Sequence, residues 1–100
     1  MKVTWNNTII AEAPKESLIK IEGNWYFPPD AMKRKYYKSS DHHTTCPWKG
    51  EASYYDVVVD GQTNEFGAWY YPTPKEGSVE RVGQDYAHYV AFWNGIEVTE

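Results

Sequence analysis

Apolar and polar residues alternate along this chain in short runs broken by turn residues, the pattern of antiparallel strands joined as hairpins. Val3-Thr4-Trp5 and Thr8-Ile9-Ile10-Ala11 flank Asn6-Asn7, and asparagine tolerates the positive φ of a tight type I′ turn. Ser17 to Glu22 reads as a strand with Ile19 and Ile21 on one face and Lys20 and Glu22 on the other. Gly23-Asn24 turns the chain into Trp25-Tyr26-Phe27, and Pro28-Pro29 stops that strand because proline donates no ladder hydrogen bond. Glu51 to Asp60 is the strongest strand, with the β-branched run Val57-Val58-Val59. Its alternation sets Tyr55, Val57 and Val59 against Tyr54, Asp56 and Asp60. Asp60-Gly61 starts a turn, and Phe66 to Tyr71 is the return strand, ended by Pro72-Thr73-Pro74. Tyr89–Trp93 and Ile96–Val98 flank Asn94-Gly95, the clearest hairpin signal in the chain.

Two stretches depart from this pattern. Residues 30–38 are the one good helix segment: proline and an acidic residue suit its first turn, and Lys35 and Lys38 suit its last. Met32 and Tyr36, four apart, share a face that docks on the sheet. Ser39 to Gly50 has no clear period. Residues 75–87 read as a polar loop with room for a short helix near Val79. Trp5-Asn6-Asn7-Thr8-Ile9-Ile10 resembles Trp93-Asn94-Gly95-Ile96-Glu97-Val98, which predicts that both chain ends are sheet hairpins. The prediction is a mainly β fold, a small antiparallel domain over residues 1–100 with one short helix around residues 30–38.

Composition narrows the picture. Five Trp, nine Tyr and three Phe, 17% of the chain, supply much of a small core, since each buried aromatic removes about 150–250 Å² from water. No apolar run is long enough to span a bilayer, and the N-terminal residues lack the apolar stretch of a secretory signal. The single cysteine, Cys46, forms no internal disulfide, so a cytoplasmic location is expected. A net charge of −4 argues against nonspecific nucleic-acid or anionic-membrane binding. Residues 1–50 hold eight Lys/Arg and five Asp/Glu, whereas residues 51–100 hold two and nine. An anionic ligand would therefore sit nearer the first half, unless strands from the two halves interleave.

The segment Asp41-His42-His43-Thr44-Thr45-Cys46-Pro47-Trp48-Lys49-Gly50 carries most of the distinctive chemistry. Asp, His and Cys are all metal ligands, but adjacent histidines point apart in an extended chain and only His88 remains elsewhere, so no metal site and no cofactor is expected. Cys46 reads either as a buried small hydrophobe or as a nucleophilic or redox thiol tuned by Lys49, His42 or His43. Lys33, Arg34, Lys35 and Lys38 beside Tyr36 and Tyr37 read either as an anion site or as a solvated face. Trp48, Trp69 and Trp93 would form a cage for a flat ligand if they converge.

Gly23-Asn24-Trp25-Tyr26-Phe27-Pro28-Pro29, Thr45-Cys46-Pro47-Trp48-Lys49-Gly50-Glu51-Ala52-Ser53-Tyr54-Tyr55, Ala68-Trp69-Tyr70-Tyr71-Pro72 and Val90-Ala91-Phe92-Trp93 together resemble the domain of unknown function 427 family. The Cys-Pro-Trp-Lys-Gly element with its following Ala-x-Tyr is the specific part. The resemblance covers nearly the whole chain and implies an all-β fold like the β-tent group, in which sheets lean together. It also brings a nucleotidyltransferase-like label. That chemistry needs paired acids for Mg²⁺ and a Gly-rich turn for phosphate, and this chain has no Gly-rich loop and sets Asp56 and Asp60 four apart. Other β-tent domains hold zinc with Cys pairs, a pattern that one Cys cannot meet, and some bind ligands in a Trp cage.

Three functions remain open from the sequence. A binding module would hold a small flat or anionic ligand among Trp48, Tyr54, Trp69 and Trp93, oriented by Lys49 or His43. An enzyme would use Cys46 as its nucleophile with Lys49 tuning it. An interaction module would use its unpaired β edges, which leave pairing with a second copy open.

Overall fold

The computed structural model describes residues 1–100 and is mainly β. β1 (Lys2–Trp5) and β2 (Thr8–Glu12) form the first hairpin. Asn6 and Asn7 turn it at φ 50° and 59°, the paired positive values of a type I′ turn. β3 (Ile19–Ile21) and β4 (Asn24–Tyr26) form a second hairpin, turned by Glu22 and Gly23 rather than by Gly23 and Asn24. β5 (Tyr37–Cys46), β6 (Gly50–Val59), β7 (Gln62–Tyr70) and β8 (Val90–Phe92) form the large antiparallel sheet in that order. β9 (Glu97–Thr99) pairs with β1, so the outer sheet runs β2-β1-β9.

The helix expected over residues 30–38 does not form. The segment makes two 3₁₀ turns, Pro29–Ala31 and Arg34–Tyr36, and Tyr37 already opens β5. The cause is tertiary. Met32 bridges to Ala11, and the Lys33 N–H donates to the Ile10 carbonyl at 3.0 Å, which holds Met32 extended between the turns. Met32 is buried and Tyr36 packs on the same core, so both still dock on the sheet. The α-helix of the structure, α1 (Ser78–Val82), is instead the one expected near Val79.

Asn94 and Gly95 do turn the chain, at φ 57° and 87°, with the Ile96 N–H donating to the Trp93 carbonyl. The strands on either side do not pair with each other, however. β8 joins β7 in the large sheet and β9 joins β1 in the outer one. The expected hairpin is a corner between sheets. Its pairing of β9 on β1 also brings the two ends of the chain into one sheet.

Alternation along the large sheet separates two cores. Val57, Val59, Ala68, Val90 and Phe92 face Val3, Ile10 and Phe27 in the first. Ala52, Tyr71 and Ala91 face Ile19, Ile21, Tyr26 and Tyr86 in the second. Tyr26 and Phe27 are adjacent residues that enter different cores, and Phe27 exchanges two 2.8 Å backbone hydrogen bonds with Val90. That bridge ties the β3–β4 hairpin to the large sheet. Val79 and Val82 of α1 cover the second core beside it.

Two irregularities shape the sheet face that carries the second core. Ser39 pairs with Tyr55 and His43 with Ser53, so Ser40–His42 bulge out opposite Tyr54. Tyr55 pairs with Ala68 and Val57 with Asn64, so Glu65–Gly67 bulge opposite Asp56. The first bulge, on an edge strand with one solvent-facing side, is why residues 39–50 show no period. Bulges re-aim side chains and are enriched next to functional sites.

Candidate functional site: an aromatic bowl with a buried lysine

β6 and β7 set Tyr54 directly opposite Trp69 on one sheet face. Two residues further along the chain, past the end of β7, Tyr71 enters the same side. With Trp93 from the corner after β8 and Lys49 from the β5–β6 turn, these five residues line an open bowl of about 210 Å³. The Trp69 and Trp93 rings meet edge to face at 6.4 Å. The Trp69 indole N–H donates to the Tyr26 hydroxyl at 3.1 Å, which fixes its tilt. The Tyr54 hydroxyl shares a 2.9 Å hydrogen bond with Thr44 Oγ1.

Lys49 is the unusual member. It is only 6% exposed, and lysine is rarely buried without a partner. Its Nζ donates to Glu22 Oε1 at 2.5 Å, across from the tip of the β3–β4 hairpin. It also lies 5.3 Å from the ring centres of both Trp48 and Tyr71. Burial alone would depress the Lys49 ammonium, but the Glu22 hydrogen bond, the Tyr26 and Tyr71 hydroxyls and the Glu22 charge outweigh it and hold the group above its ordinary value. Lys49 is therefore held in its cationic form. Glu22 is held below the ordinary carboxylate value chiefly by the Lys49 hydrogen bond. Burial pushes the Tyr71 hydroxyl up to about 12 against the opposing pull of Lys49.

The three tryptophans do not form one cage. Trp69 and Trp93 wall the bowl, whereas Trp48 stands on the far side of Lys49 under the Arg81 guanidinium at 4.4 Å. Trp48 and Arg81 form a shared wall of two other concavities of about 280 and 270 Å³. Cys46 ends β5 opposite Gly50, partly exposed, and packs on the second core, where a thiolate charge would act on Tyr71. His43 is away from the bowl, with Nδ1 at 3.2 Å from Ser53 Oγ and 3.9 Å from Glu51 Oε1. No three His, Cys, Asp or Glu side chains gather as a metal cluster.

Five residues in or beside the site are not assigned to an aromatic pocket by the sequence alone. Tyr71 was within reach, because strict alternation puts it on the Trp69 face. Glu22 and Tyr26 arrive from a separate hairpin, and Phe66 and His42 arrive through the two bulges. His42 stacks on Phe66 at 4.2 Å and lies 4.8 Å from Tyr54, extending the aromatic face beyond the bowl. Phe66 also holds Trp93, whose indole N–H donates to the Phe66 carbonyl.

The Asp56 carboxylate accepts the Phe66 N–H. No helix is long and apolar enough to cross a membrane. No curated protein matches the chain. A family model described as "Domain of unknown function (DUF427)" matches residues 1–99. That span takes in both cores, the two bulges and every residue of the bowl, and the chain belongs to the DUF427 family.

Proposed function

We propose that the bowl binds a small flat ligand with an anionic group, its ring lying against Trp69, Trp93, Tyr54 and Tyr71 and its charge directed to Lys49. The observation that carries this reading is the buried lysine set among aromatic rings. Aromatic walls supply contact area, and one placed cation supplies orientation, which is the usual division of labour in a small-molecule site. Lysine has three N–H donors; one points to Glu22, and the Tyr26 and Tyr71 hydroxyls also interact with the ammonium, so a ligand's anionic group would compete with these partners for it. Trp48 acts from behind by steadying the ammonium, and His43 lies too far round the sheet to share the ligand.

A thermal-shift screen of aryl carboxylates and aryl phosphates tests the reading. The expected result is a hit whose shift disappears in Trp69→Ala and Trp93→Ala, each confirmed folded by circular dichroism. A hit untouched by both substitutions would place the site elsewhere.

A second reading uses Cys46 as a thiol nucleophile, favoured by its partial exposure beside Tyr71. Cys46→Ser would then abolish turnover and leave the hit of the screen intact. This reading stands second because the Lys49 charge already faces Glu22.

A further inference from the structure

Lys49 and Glu22 are unequal partners. Lys49 is locked, with its stem and ammonium against Trp48 and Tyr71 and its side chain 7% exposed. Glu22 is loose. It occupies the hairpin turn at φ 52°, is absent from both cores, and its side chain is 55% exposed. A buried ammonium left without an anion is strongly unfavourable, so Lys49 requires a carboxylate beside it at all times. Glu22 can leave without repacking anything; Lys49 cannot.

The surroundings of the Glu22 carboxylate look like an anion seat. Besides the 2.5 Å contact with Lys49, the Arg81 guanidinium and the Trp48 side chain both favour its charged form. Arg81 has no carboxylate of its own within 4 Å. One exposed acid therefore answers two cations, and Lys49 opens on its other side into the bowl.

We infer that Glu22 is an exchangeable occupant of the anion seat, displaced by the acid group of a flat aromatic carboxylate whose ring enters the bowl. The inference rests on the binding reading above and adds the ligand's charged group and its internal competitor. When the ligand arrives, its carboxylate takes the Lys49 N–H and Glu22 swings to solvent, so the ammonium is never unpaired. Glu22 also sets selectivity, because a neutral ligand has nothing to offer in exchange. Because the ligand must displace Glu22, this internal competition lowers its apparent affinity, by about tenfold.

Isothermal titration of the full chain with naphthoate and with the neutral naphthalenemethanol tests this, using wild type, Glu22→Gln and Trp69→Ala. Naphthoate is expected to bind wild type, to bind Glu22→Gln about tenfold more tightly, and to be lost in Trp69→Ala. Naphthalenemethanol is expected to bind wild type more weakly and to be unchanged by Glu22→Gln. Glu22→Ala repeats the comparison without the amide, in case glutamine keeps the Lys49 hydrogen bond. Naphthoate binding that depends on Trp69 but is equal or weaker in both Glu22 variants would overturn the exchange and leave the bowl standing. Equal binding of the neutral and charged probes would do the same. Failure of both probes to bind any of the proteins would overturn the bowl itself, and the exchange with it.

Discussion

Asp56 and Phe66 are joined across β6 and β7 by one hydrogen bond, from the Phe66 backbone N–H to Asp56 Oδ1 at 3.0 Å. Phe66 sits at φ 60°, in the left-handed region that costs a residue with a side chain roughly 1–2 kcal/mol. The carboxylate offsets that cost and holds the bulge open. The bulge in turn presents the Phe66 carbonyl to the Trp93 indole and the Gly67 carbonyl to the Trp93 N–H at 3.1 Å. An acid that faces no ligand thus sets one wall of the bowl.

Asp56→Ala should therefore lower stability by about 1.5–3 kcal/mol, the range for a hydrogen bond to a charged group. It should also release Trp93, read as a red shift in tryptophan emission under native conditions. Urea unfolding measures the first effect. Asp56→Asn, which keeps an acceptor, should recover most of both. A stable Asp56→Ala protein with unchanged emission would show that the bulge holds itself.

Gly67 is required by space rather than by backbone angle. A Cβ there would lie 2.9 Å from Ile96 Cδ1 and 3.0 Å from Asn64 Oδ1. Asn64 is buried, and its side chain pairs with the Asn94 side chain and carbonyl at 3.0 and 2.9 Å. Gly67→Ala would push on that pair and loosen the corner between sheets. The expected loss is about 1–3 kcal/mol by chemical denaturation, the range for overpacking.

Tyr26 is fully buried, and its hydroxyl accepts the Trp69 indole N–H. Tyr26→Phe keeps the edge-to-face ring contact at 6.2 Å and removes the hydroxyl that accepts the Trp69 N–H and faces Lys49. A cost of about 1 kcal/mol in urea unfolding is expected. Any bowl ligand found by calorimetry should bind more weakly, because Trp69 is then free to turn. Unchanged affinity would mean that Trp93 alone holds the Trp69 ring.

The Lys49–Glu22 pair gives stability a defined pH window. The groups facing Glu22 are Lys49, Arg81 and Trp48, and those around Lys49 add Tyr26 and Tyr71. Glu22 is depressed below 4.5 on folding, so its contribution is present above that value and lost as pH falls through the folded one. Lys49 is raised above 10.5, so its contribution is present below that value and lost as pH rises through the folded one. The stability difference between wild type and Glu22→Gln should be flat from about pH 5 to pH 10 and close toward acid. Thermal melts across pH 3–10 measure it, and salt should shrink the difference because Glu22 is exposed. A difference that shows no decline as the pH is lowered would assign the effect to the turn rather than to the charge.

The local elements were largely legible in the chain. Asn6-Asn7 and Asp60-Gly61 turn hairpins because their positive φ values are local properties of asparagine, aspartate and glycine. Alternation through Val57 and Val59 and through Trp69 and Tyr71 sorts side chains onto faces without reference to the rest of the fold. The Cys-Pro-Trp-Lys-Gly element marked Lys49, which the bowl includes. Residues 30–38 do not form the expected helix because helix signals at their ends are local, whereas the Lys33 hydrogen bond to Ile10 and the Met32 bridge to Ala11 are not. The two bulges were invisible, because an extra residue on one strand is defined only by what its partner strand does opposite.

The sequence by itself determined the turns, the faces and the β character, since each depends on φ preference and on a two-residue period within one segment. Tertiary structure alone decided that β8 and β9 part company after Asn94-Gly95, that Trp48 stands apart from Trp69 and Trp93, and that Glu22 meets Lys49. Those outcomes depend on residues far apart in the chain, 27 positions in the case of Glu22 and Lys49. Their energies come from burial and charge pairing, which exist only once the sheets have closed on one another.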